Sequence, residues 1–148
     1  MKEITAAEFD QLVLQGNKVV VDFYSTECPP CEALAPKFEN MAELYGEHIT
    51  FVKVYRQGNR ELAEQLGVKS SPMVLFFDKG KQVADMISGG IKKSELVERL
   101  DAMLPQETVA NIKSKITKHT TYCDALIIGG GPAGLAAGLY LCQAKVNT

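Results

Sequence analysis

Lys18 to Tyr24 reads Lys-Val-Val-Val-Asp-Phe-Tyr and leads, across a short turn, into Cys28-Pro29-Pro30-Cys31 at the head of a helical pattern. β-Branched and aromatic residues with no polar alternation specify a strand buried on both faces, and hence the middle of a sheet covered on two sides. The flanking sequence supplies the cover. Thr5 and Glu8 stand at capping-box spacing before Phe9, Leu12 and Val13, which predicts a short helix ending at Gly16-Asn17. After the cysteines, Leu34, Phe38, Met41, Ala42 and Tyr45 form one helical stripe that closes at Gly46. Ile49 to Tyr55 reads as a second strand, and Asn59 to Leu66 as a helix stopped by Gly67. Met73 to Phe77 and Gln82 to Ile87 read as two strands joined by Asp78-Lys79-Gly80-Lys81, which has hairpin-turn chemistry. Lys93 to Leu104 is a last amphipathic helix. Strands joined by helices run parallel and the hairpin antiparallel, so residues 1–104 are predicted to form an α/β domain with a mixed central sheet and helices on both faces.

Composition narrows the functional classes. In a chain of 148 residues, 46% hydrophobic, 16 Lys plus Arg stand against 18 Asp plus Glu. That balance disfavours a protein held to nucleic acid by phosphate contacts or to a membrane by a polybasic face. The N-terminus has no apolar signal-peptide core, and no apolar run reaches the roughly 18 residues of a spanning helix, so a cytoplasmic location is expected. In a reducing compartment four cysteines, Cys28, Cys31, Cys123 and Cys142, point to catalysis or metal binding rather than to a disulfide scaffold.

Cys28-Pro29-Pro30-Cys31 carries the chemistry. Disulfide exchange needs a thiolate, and a helix N-terminus stabilises one with unpaired N–H groups and the positive end of its dipole. Pro29 and Pro30 have no N–H, so Cys31 and the residues after it are the donors left for the Cys28 sulfur. Cys28, at the exposed start of the helix, is assigned as the attacking thiol and Cys31, one turn in and more shielded, as the resolving one. Glu27 opposes the thiolate. Asp22 places an ionisable group among apolar neighbours. It is read as a base with a raised pKa that takes the Cys31 proton, or alternatively as a structural partner of Lys53. Pro72 opens a strand and is read either as a cis-proline bordering an open backbone edge beside Cys28 or as an ordinary strand-opening proline. No resident metal is expected; a Cys₃His zinc site from Cys28, Cys31, Cys123 and His119 is the competing reading, and a docking domain with incidental cysteines is another.

Taken together, Val21-Asp22-Phe23-Tyr24, Cys28-Pro29-Pro30-Cys31, Pro36, Lys53, Ser71-Pro72-Met73, Gly80 and Gly89 resemble the thioredoxin family in order and spacing, over residues 1 to about 104. The resemblance implies the thioredoxin fold and dithiol–disulfide exchange with disulfide-bonded protein substrates, without a cofactor in this part of the chain. It implies Cys28 as nucleophile, Cys31 as resolving thiol, Asp22 as buried acid–base group and Pro72 as the cis-proline. Ser71, Met73, Gly89 and Gly90 would border the docking surface. Glu27 and Pro29 stand where the family usually has tryptophan and glycine, which bears on redox poise and partner choice.

Residues 105–121 read as a basic linker with a marginal helix starting at Pro105, and residues 122–148 as an incomplete dinucleotide-binding fragment. There, Tyr122 to Ile128 is read as a strand, followed by Gly129, Gly131 and Gly134 in a G-x-G-x-x-G pattern and a small-residue helix from Pro132. This segment is similar to the opening of the flavin domain of thioredoxin reductase-like enzymes. That similarity implies a flavoprotein reductase, in cis or in trans, using FAD and NADPH. In the cis case the thioredoxin-like module either serves outside substrates or relays electrons only to its own reductase. One strand and one helix cannot complete the site, so these residues alone are expected to bind no dinucleotide and to be poorly ordered from roughly Thr120 onward.

Overall fold

The computed structural model describes residues 1–116 and 122–147. In chain order its elements are β1 (Lys2–Ile4), α1 (Ala6–Phe9, widened into a π turn over Asp10–Leu14), β2 (Lys18–Tyr24), α2 (Pro29–Tyr45), β3 (Thr50–Tyr55) and α3 (Arg60–Gln65). They continue with β4 (Met73–Asp78), β5 (Lys81–Gln82), β6 (Ile87–Ser88), α4 (Lys93–Ala102), α5 (Gln106–Ser114) and α6 (Pro132–Gln143). The chain divides into two compact units, Met1–Lys115 and Ile116–Thr148.

In the first unit β2 is central, as its composition requires. The sheet order is β1-β3-β2-β4-β5, with β6 also pairing β4. β3 runs parallel to both β1 and β2, while β4 is antiparallel to β2 and to β5 and β6, so the sheet is mixed. The alternation of a strand then sorts the core into two layers. Val19, Val21 and Phe23 pack with Phe9, Val13 and Leu62 under α1 and α3. Val20 packs with Leu34, Phe38 and Met41 of α2 and with Leu96 and Leu100 of α4. By the same parity Asp22 faces the α2 layer.

Two local features depart from the sequence expectation. β1 is an added edge strand, too short and too exposed to show as a pattern, since only Ile4 is buried. The strand expected over 82–87 is split into β5 and β6. Phe77 pairs Gln82 and Val74 pairs Ile87, so Val83 to Met86 bulge opposite Leu75 and Phe76. The hairpin turn itself has Lys79 and Gly80 at φ 50° and 75°, the two left-handed residues of a primed turn. A side chain at Gly80 would also run into the Leu14 backbone.

Of the segment read as a linker, residues 105–115 belong to the first unit instead. Ile112 of α5 is buried with Leu96, Leu100 and Met103. Lys113 and Lys115 pair with Asp101 and Glu47. These two lysines thus have acidic partners that a reading of the stretch alone cannot see. Lys118 and His119 lie outside the described residues.

In the second unit residues 132–143 form a regular helix rather than a poorly ordered tail, opened by Pro132 at its first position. The strand expected over Tyr122 to Ile128 is irregular backbone. Its physical reason is that a strand needs a ladder partner, and none forms among residues 122–147. Among the described residues no helix is long and apolar enough to cross a membrane.

Ile112→Ala should destabilise the first unit by about 2–4 kcal/mol in urea unfolding, the usual cost of emptying a buried aliphatic site. An unchanged midpoint would mean that α5 does not belong to this core.

Candidate active site

The C-terminal ends of β2 and β3, the head of α2 and the start of β4 meet at one end of the sheet. Between β2 and α2, Glu27 takes a left-handed conformation at φ 51°, uncommon for a residue with a side chain, and its carboxylate is exposed. Cys28 follows as the N-cap of α2, with Pro29 and Pro30 at the first two helical positions.

Cys28 and Cys31 are joined in a disulfide, with their Cα atoms 5.2 Å apart. The Cys31 N–H lies 2.9 Å from the Cys28 carbonyl oxygen and 3.2 Å from Cys28 Sγ, so one donor serves both. The expected difference in exposure does not distinguish the two: Cys28 is 8% exposed and Cys31 7%. Their surroundings differ instead. Cys28 Sγ stands 3.5 Å from the Ser71 carbonyl oxygen, which in the dithiol form is placed to accept the thiol proton. Cys31 lines a cavity of about 160 Å³ shared with Asp22, Lys53 and Tyr24.

Asp22 is 5% exposed, and its Oδ1 has no hydrogen-bond partner. Burial pushes its carboxyl up from an ordinary value of 3.8 to about 7, with the Lys53 charge pulling the other way. Lys53 is its register partner on β3, yet the two form no ion pair. The Lys53 ammonium lies 5.5 Å from the centre of the Tyr24 ring instead. The structural-pair reading of Asp22 therefore lacks its contact, and a buried acid titrating near neutrality stands beside Cys31.

The Ser71–Pro72 peptide is cis. Pro72 O accepts from Gly89 N–H at 3.3 Å, and Met73 sits between β2 and β6 with its side chain in the core. The open edge narrows accordingly to the Ser71 peptide group. Gly89 has φ 77°, and both Gly89 and Gly90 are exposed; Lys37 of α2 fixes the loop after them by donating to the Ile91 carbonyl at 2.9 Å. Arg56, just past β3, joins this edge by donating from Nε to Ser71 Oγ at 3.0 Å. Nothing in its spacing marks it; its place at the sheet end is the signal.

The thioredoxin family model matches residues 1–102. The chain belongs to the thioredoxin family. Over 101 residues it is 46% identical to a thioredoxin of Mycoplasmoides gallisepticum, covering 68% of this chain and 99% of that one. It is 35% identical to thioredoxin 1 of Synechococcus elongatus, covering 68% of this chain and 94% of the relative. The crystal structure of Malassezia sympodialis thioredoxin superposes with a TM-score of 0.64 at 27% identity, covering 70% of this chain and 90% of that chain. The fold is the thioredoxin fold, and the protein is a thioredoxin-like thiol–disulfide oxidoreductase with Cys28–Cys31 as its disulfide.

The remaining site residues belong to the second unit. Cys123 and Cys142 are exposed free thiols. Among the described residues no group of three or more His, Cys, Asp or Glu could hold a metal ion. His119, the fourth ligand of the zinc reading, lies outside the described residues. In the second unit Gly129 has φ 114°, and a side chain at Gly134 would strike the Gly129 carbonyl. These glycines suit a tight turn before α6. No strand forms among residues 122–147.

Asp22 holds its proton more tightly folded than unfolded, so stability should fall as pH rises from about 4 to about 7 and level off above. Asp22→Asn removes the ionisation. Its stability margin over the oxidised wild type should grow by a few kcal/mol across that window in denaturant melts, and a margin independent of pH would contradict the burial argument.

Proposed function

We propose that this protein reduces disulfide bonds of protein substrates, with Cys28 attacking and Cys31 resolving. The two different surroundings of the sulfurs carry the assignment. Cys28 Sγ receives the Cys31 N–H and lies against the Ser71 edge, where an extended substrate segment can add to the backbone. Cys31 lies against the cavity of Asp22.

In the forward direction the Cys28 thiolate attacks one sulfur of the substrate disulfide. A Cys28–substrate bond forms, and the other substrate sulfur leaves as a thiolate that takes a proton from solvent. The Asp22 carboxylate takes the Cys31 proton, directly or through water in the cavity they share. The Cys31 thiolate then attacks Cys28 Sγ, the second substrate sulfur departs as a thiolate that takes a proton from solvent or from the protonated Asp22, and the Cys28–Cys31 disulfide holds the two-electron oxidation. Pro72, Gly89 and Gly90 frame the docking edge, Ser71 offers the pairing peptide group, and Met73 supports it from the core.

The electrons that restore the dithiol are proposed to come from a flavoprotein reductase using FAD and NADPH, of which residues 122–148 would be the opening in cis. The glycine pattern after Ile128, the positive φ of Gly129 and the helix opening at Pro132 support this reading. A reducing compartment such as the cytoplasm is the setting proposed for it, since there the dithiol persists. Reading the coding sequence beyond Thr148 tests the cis arrangement. A second strand and an acidic residue about 20 positions after the glycines are expected, and an immediate stop codon would overturn it.

For the reaction, insulin reduction with dithiothreitol is the direct assay. Cys28→Ser should fall to the background rate, whereas a Cys123→Ser, Cys142→Ser double variant should keep the wild-type rate. Full activity in Cys28→Ser would contradict the assignment.

A further inference from the structure

We propose that Arg56 gives this site a preference for substrates carrying an acidic side chain beside the disulfide, an inference that rests on the reductase reading above. The chain has three arginines, Arg56, Arg60 and Arg99. Two of them, Arg56 and Arg60, line one pocket of about 220 Å³. Arg56 Nε donates to Ser71 Oγ at 3.0 Å, and the carbonyl of that same Ser71 is 3.5 Å from Cys28 Sγ. A single residue therefore separates the guanidinium from the reacting sulfur.

The Ser71 bond uses one of the five guanidinium N–H donors. Among the described residues the other four have no hydrogen-bond acceptor, and no carboxylate pairs with Arg56. Glu64, which lines the same pocket, makes no ion pair with either arginine. The side chain is half-buried and already held by Ser71, so a carboxylate reaching it meets an oriented fork instead of a mobile cation. The planar fork suits two parallel N–H···O bonds to one carboxylate. A substrate strand paired at Ser71 brings the residues flanking its cysteine alongside this fork. Arg60 adds positive charge behind it.

The test uses the full chain and three peptides with one intramolecular disulfide, identical except for Glu, Gln or Lys next to the attacked cysteine. Wild type should show a kcat/KM for the Glu peptide about two- to fivefold above that for the Gln peptide, the upper range of a surface ion pair. The preference should shrink at high salt. In Arg56→Gln the Glu-to-Gln ratio should fall to about one, Arg56→Lys should retain part of it, and Arg56→Glu should favour the Lys peptide. Each ratio is taken within one protein, so a general loss of fold or of thiolate reactivity does not move it. Equal rates on all three peptides in wild type, or a ratio unchanged in Arg56→Gln, would overturn the proposal. Failure of wild type to reduce any of them would instead remove the reductase reading on which it stands.

Discussion

One backbone N–H sets the chemistry of this protein. Pro29 and Pro30 occupy the first turn of α2 and donate nothing, so Cys31 supplies the first helical N–H able to reach the Cys28 sulfur, at 3.2 Å. That contact requires Cys28 to sit at the N-cap, which in turn requires α2 to begin where β2 ends. β2 holds that position because it pairs on both edges and is buried from Val19 to Phe23. The strand thus anchors the corner, and the corner aims the dipole.

Asp22 shows what the arrangement costs. A carboxyl with an unpartnered oxygen in the layer beneath α2 opposes folding whenever it is ionised. Its neighbour Lys53, placed over the Tyr24 ring, moderates this without closing an ion pair. The result is an acid poised near neutral pH next to a thiol that must lose its proton. A hydrophobic residue would pack there more favourably and could not take that proton.

Much of this was legible in the sequence because it depends on local pattern. The Val-Val-Val run, the stripe from Leu34 to Tyr45 and the two prolines each specify their own conformation. The illegible parts depend on partners distant in the chain. Ile4 reveals an edge strand only once β3 is beside it, and Tyr122 to Ile128 has strand composition without a neighbour to pair. The Ser71 carbonyl that stands 3.5 Å from Cys28 Sγ comes from 43 residues further along the chain. Arg56 acquires meaning only when β3 ends beside Ser71. Lys113 and Lys115 likewise look like linker charge until Asp101 and Glu47 are in place.

The stabilised Cys28 thiolate can be measured directly by following alkylation of the fully reduced protein against pH, with mass-spectrometric assignment of the modified thiol. The account predicts that Cys28 reacts before Cys31, with a midpoint below the value of about 8.5 for a free cysteine. First modification of Cys31, or a Cys28 midpoint at or above that value, would contradict it.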